Sequence, residues 1–238
     1  MRRRIMKNQK VVISVVLTVL LIIGGGIAGY YWYEMSHYIT TDDARISAFT
    51  ANVSPIISGK ITSWNVSEGE YVKAGATIGW QDTNAIATSA SVNPSALNPI
   101  GSITVSKAEI TAPISGQVIK VTVRDGQLVG TGQPLAVIAD TEDLFVAVNI
   151  DETEEGKIKV GQLVDLKIDA LPGKTFQGRV DEIGKATLST FDILPIQSAN
   201  GNFTKVTQRI PLKVRFPEIN KLGLLPGMSV TAKIHIAG

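Results

Sequence analysis

The chain has 238 residues, 44% of them apolar and 18% charged, with a formal net charge of +2 and no cysteine. Without cysteine there is no disulfide framework and no thiolate metal site. Five basic residues crowd the first ten positions, so the remainder is near neutral, carries no basic stripe and is excluded as a nucleic-acid binder.

Taken in chain order, the first element is a basic tail, residues 1–10, with Arg2, Arg3, Arg4, Lys7 and Lys10. It precedes VVISVVLTVLLIIGGGIAGYYWY (11–33), 23 residues without a charge. At about 1.5 Å per residue this segment is roughly 34 Å long, enough to cross a hydrocarbon core of about 30 Å, and a single transmembrane helix is expected. The positive flank puts the N-terminus in the cytoplasm and everything after residue 33 outside. A cleaved signal peptide is the rival reading, but its apolar core is usually about 7–15 residues and no clean A-x-A site follows. Tyr30, Tyr31, Trp32 and Tyr33 are expected to form an aromatic belt at the outer interface. Gly25 and Gly29 have GxxxG spacing, which in an apolar helix reads either as a packing face or as chance.

Past the apolar segment the pattern is mainly β. The runs VIKVTV (118–123), LFVAVNI (144–150), LVDLKI (163–168), RIPLKVRF (209–216) and SVTAKIHI (229–236) alternate apolar and polar residues between turn formers. One short helix is expected in DETEEGKIKVGQ (151–162), capped by Asp151 with Glu152, Glu154 and Glu155 in its first turn. Read as a metal or acid/base site, those carboxylates fail, because adjacent helical residues do not converge on one point.

A repeat organises the middle of the chain. With an offset of 57, Ser58-Gly59 matches Ser115-Gly116, Val66 matches Val123, Glu68-Gly69 matches Asp125-Gly126, Val72 matches Val129 and Gly75 matches Gly132. Each copy begins at a proline, Pro55 or Pro113, and closes on an aspartate, Asp82 or Asp140. Two β-units, each too small to bury its own core, are expected to fold against one another, with Gly59, Gly69, Gly75, Gly116, Gly126 and Gly132 as structural turn glycines. The intervening TNAIATSASVNPSALNPIGSITVSK (83–107) has two prolines and no heptads, so a loop is expected there.

Enzyme signatures are missing from the pattern. The two histidines, His37 and His235, lie almost 200 positions apart, and there is no G-x-S-x-G elbow, S-x-x-K or phosphate-cradling glycine loop. No catalytic, cofactor-binding or metal-binding residue is assigned. Three N-x-[ST] sequons, at Asn52, Asn65 and Asn202, matter only in a eukaryotic secretory route.

The duplicated S-G-x-[IV] and [ED]-G-x-x-V-x-x-G pattern resembles the two halves of a lipoyl or biotinyl carrier domain. Carriers modify a lysine between the halves; here none occurs between Lys73 and Lys107, so no swinging arm and no cofactor are expected. A split lipoyl domain without cofactor is the mark of the HlyD-type membrane fusion proteins, adaptor subunits of efflux and secretion systems. TTDDARISAFTANVSPIISGKI (40–61) is similar to the first strand of multidrug-efflux adaptors paired with major facilitator pumps, and ITAPISGQV (110–118) resembles the start of the second half-motif. The stretches 144–184, 207–216 and 224–234 look like parts of that family's β-barrel domain.

The resemblance implies a mainly β protein. After the transmembrane helix come a lead-in segment (34–50), a split lipoyl-like (barrel-sandwich hybrid) domain in two halves (51–82 with 108–140) and a β-barrel domain (141–238). It implies a homo-oligomer beside a polytopic membrane transporter, with a major facilitator favoured over an ABC exporter. Thr41, Asp42, Asp43 and Ala44 either touch the pump or form a solvated turn and strand start. The 83–107 loop stands where Gram-negative members carry a coiled-coil hairpin. Docking to an outer-membrane channel by that device is therefore excluded, which implies a Gram-positive-type envelope. The alternative is a surface-exposed interaction protein with the same fold and no pump.

Overall fold

The computed structural model describes residues 2–82, 109–191 and 207–236, with side chains from residue 17 onward. The expected loop 83–107 and the Asn202 sequon lie outside them. The chain divides into two compact units, residues 1–44 with 148–214 and 230–238, and residues 45–147 with 215–229.

Helix α1 runs Arg2–His37. Its large apolar side chains are exposed, among them Leu20, Leu21, Ile22, Tyr30, Tyr31 and Trp32. Among the described residues no helix is long and apolar enough to cross a membrane, and residues 11–16 of the expected span precede the described side chains.

Six strands close into a barrel in the order β1-β10-β13-β12-β11-β14. They are β1 (Tyr38–Ser47), β10 (Phe145–Asp151), β11 (Leu163–Ile168), β12 (Phe176–Ile183), β13 (Arg209–Arg215) and β14 (Ser229–His235). Period-2 alternation drives them: Val164, Leu166 and Ile168 of β11 and Val230, Ala232 and Ile234 of β14 are buried, paired antiparallel as Val164↔Ile234, Leu166↔Ala232 and Ile168↔Val230. Strand β12 escaped the alternation signal because FQGRVDEI buries only Gly178 and Val180.

The short helix expected in 151–162 is present as a 3-10 helix with Glu152, Glu154 and Glu155 in its first turn, and only its cap needs correction. Glu152–Lys157 forms a six-residue 3-10 turn, and Asp151, in extended backbone, makes no side-chain cap. Three acidic residues at its start favour a turn but cannot carry an α-helix when Gly156 follows so closely.

The hybrid domain is two four-stranded sheets, β2-β9-β7-β4 and β6-β5-β3-β8. Their strands are β2 (Thr50–Val53), β3 (Gly59–Trp64), β4 (Tyr71–Val72), β5 (Thr77–Asp82), β6 (Glu109–Thr111), β7 (Gly116–Val121), β8 (Leu128–Val129) and β9 (Ala136–Ala139). Each half lends two strands to the other, β2 and β4 flanking β9-β7 and β6 and β8 flanking β5-β3. Gly59↔Val129 pairs β3 with β8, and Gly116↔Val72 pairs β7 with β4, the same pairing moved by the repeat offset.

The shared core repeats in the same way, with Val53 and Ile110, Ile61 and Val118, Val72 and Val129, and Ile78 and Leu135 all buried in one cluster. Side chains of the repeat seal the exchange. The Trp64 amide donates to Asp125 Oδ1 at 2.7 Å and the Val121 amide to Glu68 Oε1 at 2.8 Å. Likewise the Ala74 amide donates to Ser115 Oγ at 2.9 Å and the Thr131 amide to Ser58 Oγ at 3.1 Å.

Of the six repeat glycines, Gly69, Gly75, Gly126 and Gly132 lie in turns at φ 89°, 79°, 80° and 76°. Gly59 and Gly116 serve close approach instead. A Cβ on Gly59 would sit 2.7 Å from the Asp82 carbonyl oxygen, and one on Gly116 would sit 2.1 Å from that of Ala139. Gly59→Val or Gly116→Val is expected to cost about 2–3 kcal/mol and Gly69→Val about 1 kcal/mol. Denaturant melts of the three variants check this; unchanged stability at Gly59 and Gly116 would remove the crowding argument.

Candidate functional site

Helix α1 passes into β1 with no intervening loop, and the T-D-D-A motif sits four residues into the new chain direction. A cleft of about 590 Å³ opens around it, lined by Glu34, Tyr38, Thr41, Asp42, Asp43 and, from other elements, Asp151, Glu154 and Arg209.

The four motif residues have different tasks. Thr41 Oγ1 donates to the Asn149 carbonyl at 3.0 Å and accepts the Asp43 amide at 3.1 Å, an ST turn that ties β1 to β10. Asp43 accepts from Arg209 Nη1 at 2.7 Å. Ala44 is buried, at 5% exposure, and belongs to the core. Asp42 is exposed, the motif residue that faces solvent.

Sequence reasoning missed Arg209. It stands 166 positions from Asp43, and its Nε also lies 3.9 Å from Asp151 Oδ1. That ion pair, rather than a helix cap, is what Asp151 makes. Because Asp42 and Glu154 share the cleft, the field there is negative around one guanidinium.

A second cluster holds the helix end. Lys233 of β14 pairs with Glu34 and lies 4.0 Å from the Tyr38 ring centroid, while Tyr38 meets His235 edge-on at 4.9 Å. His235 Nε2 is 2.8 Å from Asp165 Oδ2, and the Ile236 amide donates to the His37 carbonyl at 2.9 Å. The hydrogen bond to Glu34 raises the Lys233 pKa above the ordinary lysine value, against a smaller lowering by desolvation. Among the described residues, no group of three His, Asp or Glu is placed to hold a metal ion.

Residues 49–141 match the family described as "RND MFP, barrel-sandwich hybrid domain", and residues 144–234 match the "YknX-like beta-barrel domain". A protein of Bacillus subtilis (strain 168) named as efflux system component YhbJ is 36% identical over 201 residues, covering 84% of this chain and 81% of its own. The chain belongs to the HlyD-type membrane fusion proteins. This membrane fusion protein also matches the colistin resistance protein EmrA of Acinetobacter baumannii, at 33% identity over 135 residues, 56% of this chain and 38% of that one. In fold it resembles the crystal structure of a MacA-MexA chimeric protein containing the Pseudomonas aeruginosa MexA alpha-hairpin domain. The TM-score is 0.66 at 20% identity, covering 84% of this chain and 82% of that one.

The cleft of this membrane fusion protein is shaped by hydrogen bonds and an ion pair between separate elements. Two measurements probe its build. Thr41→Val, which keeps the shape and deletes both hydroxyl bonds, is expected to cost about 1–2 kcal/mol in a denaturant melt, whereas Asp42→Asn leaves stability unchanged. With the folded Lys233 pKa raised, the Lys233–Glu34 pair stabilises fully below the ordinary lysine pKa, and its contribution fades as pH rises through the raised one. The melting difference between wild type and Glu34→Gln is therefore expected to be constant from neutral to mildly alkaline pH and to shrink at strongly alkaline pH.

Proposed function

We propose that the protein is the membrane-anchored adaptor subunit of an export system, assembling as a homo-oligomer with a polytopic transporter of the cytoplasmic membrane to help efflux of drugs or other small molecules. Residues 11–33 are the single-pass anchor, residues 1–10 stay inside, and the hybrid and barrel domains stand outside. The observation that carries this reading is the likeness to an efflux system component across 84% of the chain, both β domains included. The uncharged stretch 11–33 and the exposed apolar side chains of α1 support the anchor. The sequence has no lysine between Lys73 and Lys107 to take a lipoyl-type modification, which supports a scaffold role.

A major facilitator partner is favoured over an ABC exporter by the T-D-D-A motif at 41–44. Thr41 and Asp43 shape the cleft, and Asp42 and Glu154 offer it to a basic stretch of the pump. The envelope is of Gram-positive type, with the 83–107 segment in place of a channel-docking hairpin.

A mild-detergent pull-down of the tagged full-length protein from its native membrane, followed by mass spectrometry, tests the reading. A polytopic transporter in near-stoichiometric amount is expected, and Asp42→Asn is expected to lower its recovery several-fold while leaving folding intact. Recovery of the protein without a transporter would favour the pump-free surface role.

A further inference from the structure

On the outer wall of the barrel, beside the point where α1 ends, a second cleft of about 440 Å³ is lined by Lys159, Val160, Gln162, Leu163, Arg179 and His235. We infer that this cleft binds the phosphate of an anionic phospholipid headgroup in the outer leaflet. The inference rests on the anchored reading of residues 11–33 given above.

Its first support is chemical. Two permanent cations, Lys159 and Arg179, line the cleft with a histidine. A carboxylate beside the cleft, Asp165, is engaged, 2.8 Å from His235 Nε2. Arg179 is held, because Nη1 donates to the Gly161 carbonyl at 2.9 Å, and its fork retains further N–H donors for a phosphate oxygen. The turn below it is built rather than loose. Gln162 Oε1 accepts the Lys159 amide at 3.0 Å, and Gln162 Nε2 donates to the Lys157 carbonyl at 3.2 Å.

Its second support is the pairing of apolar with basic groups. Val160 is 63% exposed and Leu163 37% exposed at the rim of the same cleft. An apolar rim beside cations suits a lipid, whose glycerol and acyl carbons adjoin its phosphate, better than a free anion.

Its third support is depth. The Ile236 amide, one residue after His235, bonds the carbonyl of His37, the last residue of α1. Tyr30 to Tyr33 precede His37 by four to seven residues, about 6–10 Å of helix. With those aromatics at the interface, the cleft falls at headgroup height, where each polar layer is about 5–8 Å thick.

Full-length protein in mixed micelles of phosphatidylcholine and phosphatidylglycerol, analysed by native mass spectrometry for retained lipid, tests the assignment. Wild type is expected to retain phosphatidylglycerol preferentially. Lys159→Gln with Arg179→Gln is expected to lose about tenfold in that preference without a change in melting, and Lys174→Gln, at a different cleft, to keep it. Absence of preference, or its survival in the double variant, would overturn the site. Displacement of the lipid by inorganic phosphate as readily as by glycerophosphoglycerol would assign the cleft to a free anion and overturn the lipid. Alkaline carbonate washing of native membranes separates the two readings: release of the protein would sink the anchor, and with it the lipid assignment, while retention without lipid preference would sink the site alone.

Discussion

The hybrid domain depends on one reciprocal contact. Gly59 faces Val129 and Gly116 faces Val72, so each half finishes its sheet with a two-residue strand borrowed from the other. Neither half has a face large enough to exclude water by itself. Among the described residues, twelve buried core residues form one cluster drawn from both. The backbone amides freed at each crossing are accepted by Ser58, Ser115, Glu68 and Asp125 of the opposite half. The strand ends at the crossings thus keep their backbone hydrogen bonds filled from the opposite half. The glycines at the crossing also let each half close on itself, because an added Cβ would collide with the carbonyl oxygen of Asp82 in β5 or of Ala139 in β9, each a strand of the glycine's own half.

The repeat is not perfect, and its departures compensate one another. Trp64 pairs with Gly79 where the other half pairs Val121 with Ala136. A large residue opposite none and two residues of middling size fill comparable volumes, the kind of exchange a packed core tolerates. A Cβ on Gly79 would lie 2.9 Å from the Trp64 ring, so the swap works only as a pair. Gln81 takes the place of Ile138; it is buried, and its Nε2 donates to the Ile57 carbonyl at 3.2 Å. A polar group enters this core with its donor bonded, at a stability cost that burial of an unbonded amide would have multiplied.

Much of this was legible before any coordinate. Turn glycines at a constant offset and alternating valines are local signals, and they announce two half-domains and a β-rich remainder. What stayed hidden is long-range. Nothing in RIPLKVRF says that Arg209 will stand beside Asp43, 166 positions away, and the acidic run after Asp151 reads as a capped helix until Arg209 is seen to engage the aspartate instead. The partners of His235, Asp165 and Tyr38, likewise come from two other strands. Barrel closure brings such residues together, and closure is a property of six strands at once. The motif T-D-D-A was visible as a pattern, yet only the fold separates its exposed Asp42 from the shape-giving Thr41 and Asp43 and the buried Ala44.

The same closure explains how a helix can steer a barrel. A helix C-terminus leaves four carbonyls without intrahelical partners, and a frayed end would act as a swivel. Here the His37 carbonyl is bonded by Ile236, Glu34 is held by Lys233, and Tyr38 begins β1 directly against His235. Strands β1 and β14 are the two ends of the barrel order that closure makes neighbours. The last turn of α1 is therefore fastened to both sides of that seam, and its rotation cannot be absorbed by one loose strand. The cleft around Thr41, Asp42 and Asp43 lies only four residues beyond this clamp. Its carboxylates are consequently held in register with the helix, as a surface must be if a partner beside the helix is to meet it repeatedly in one orientation.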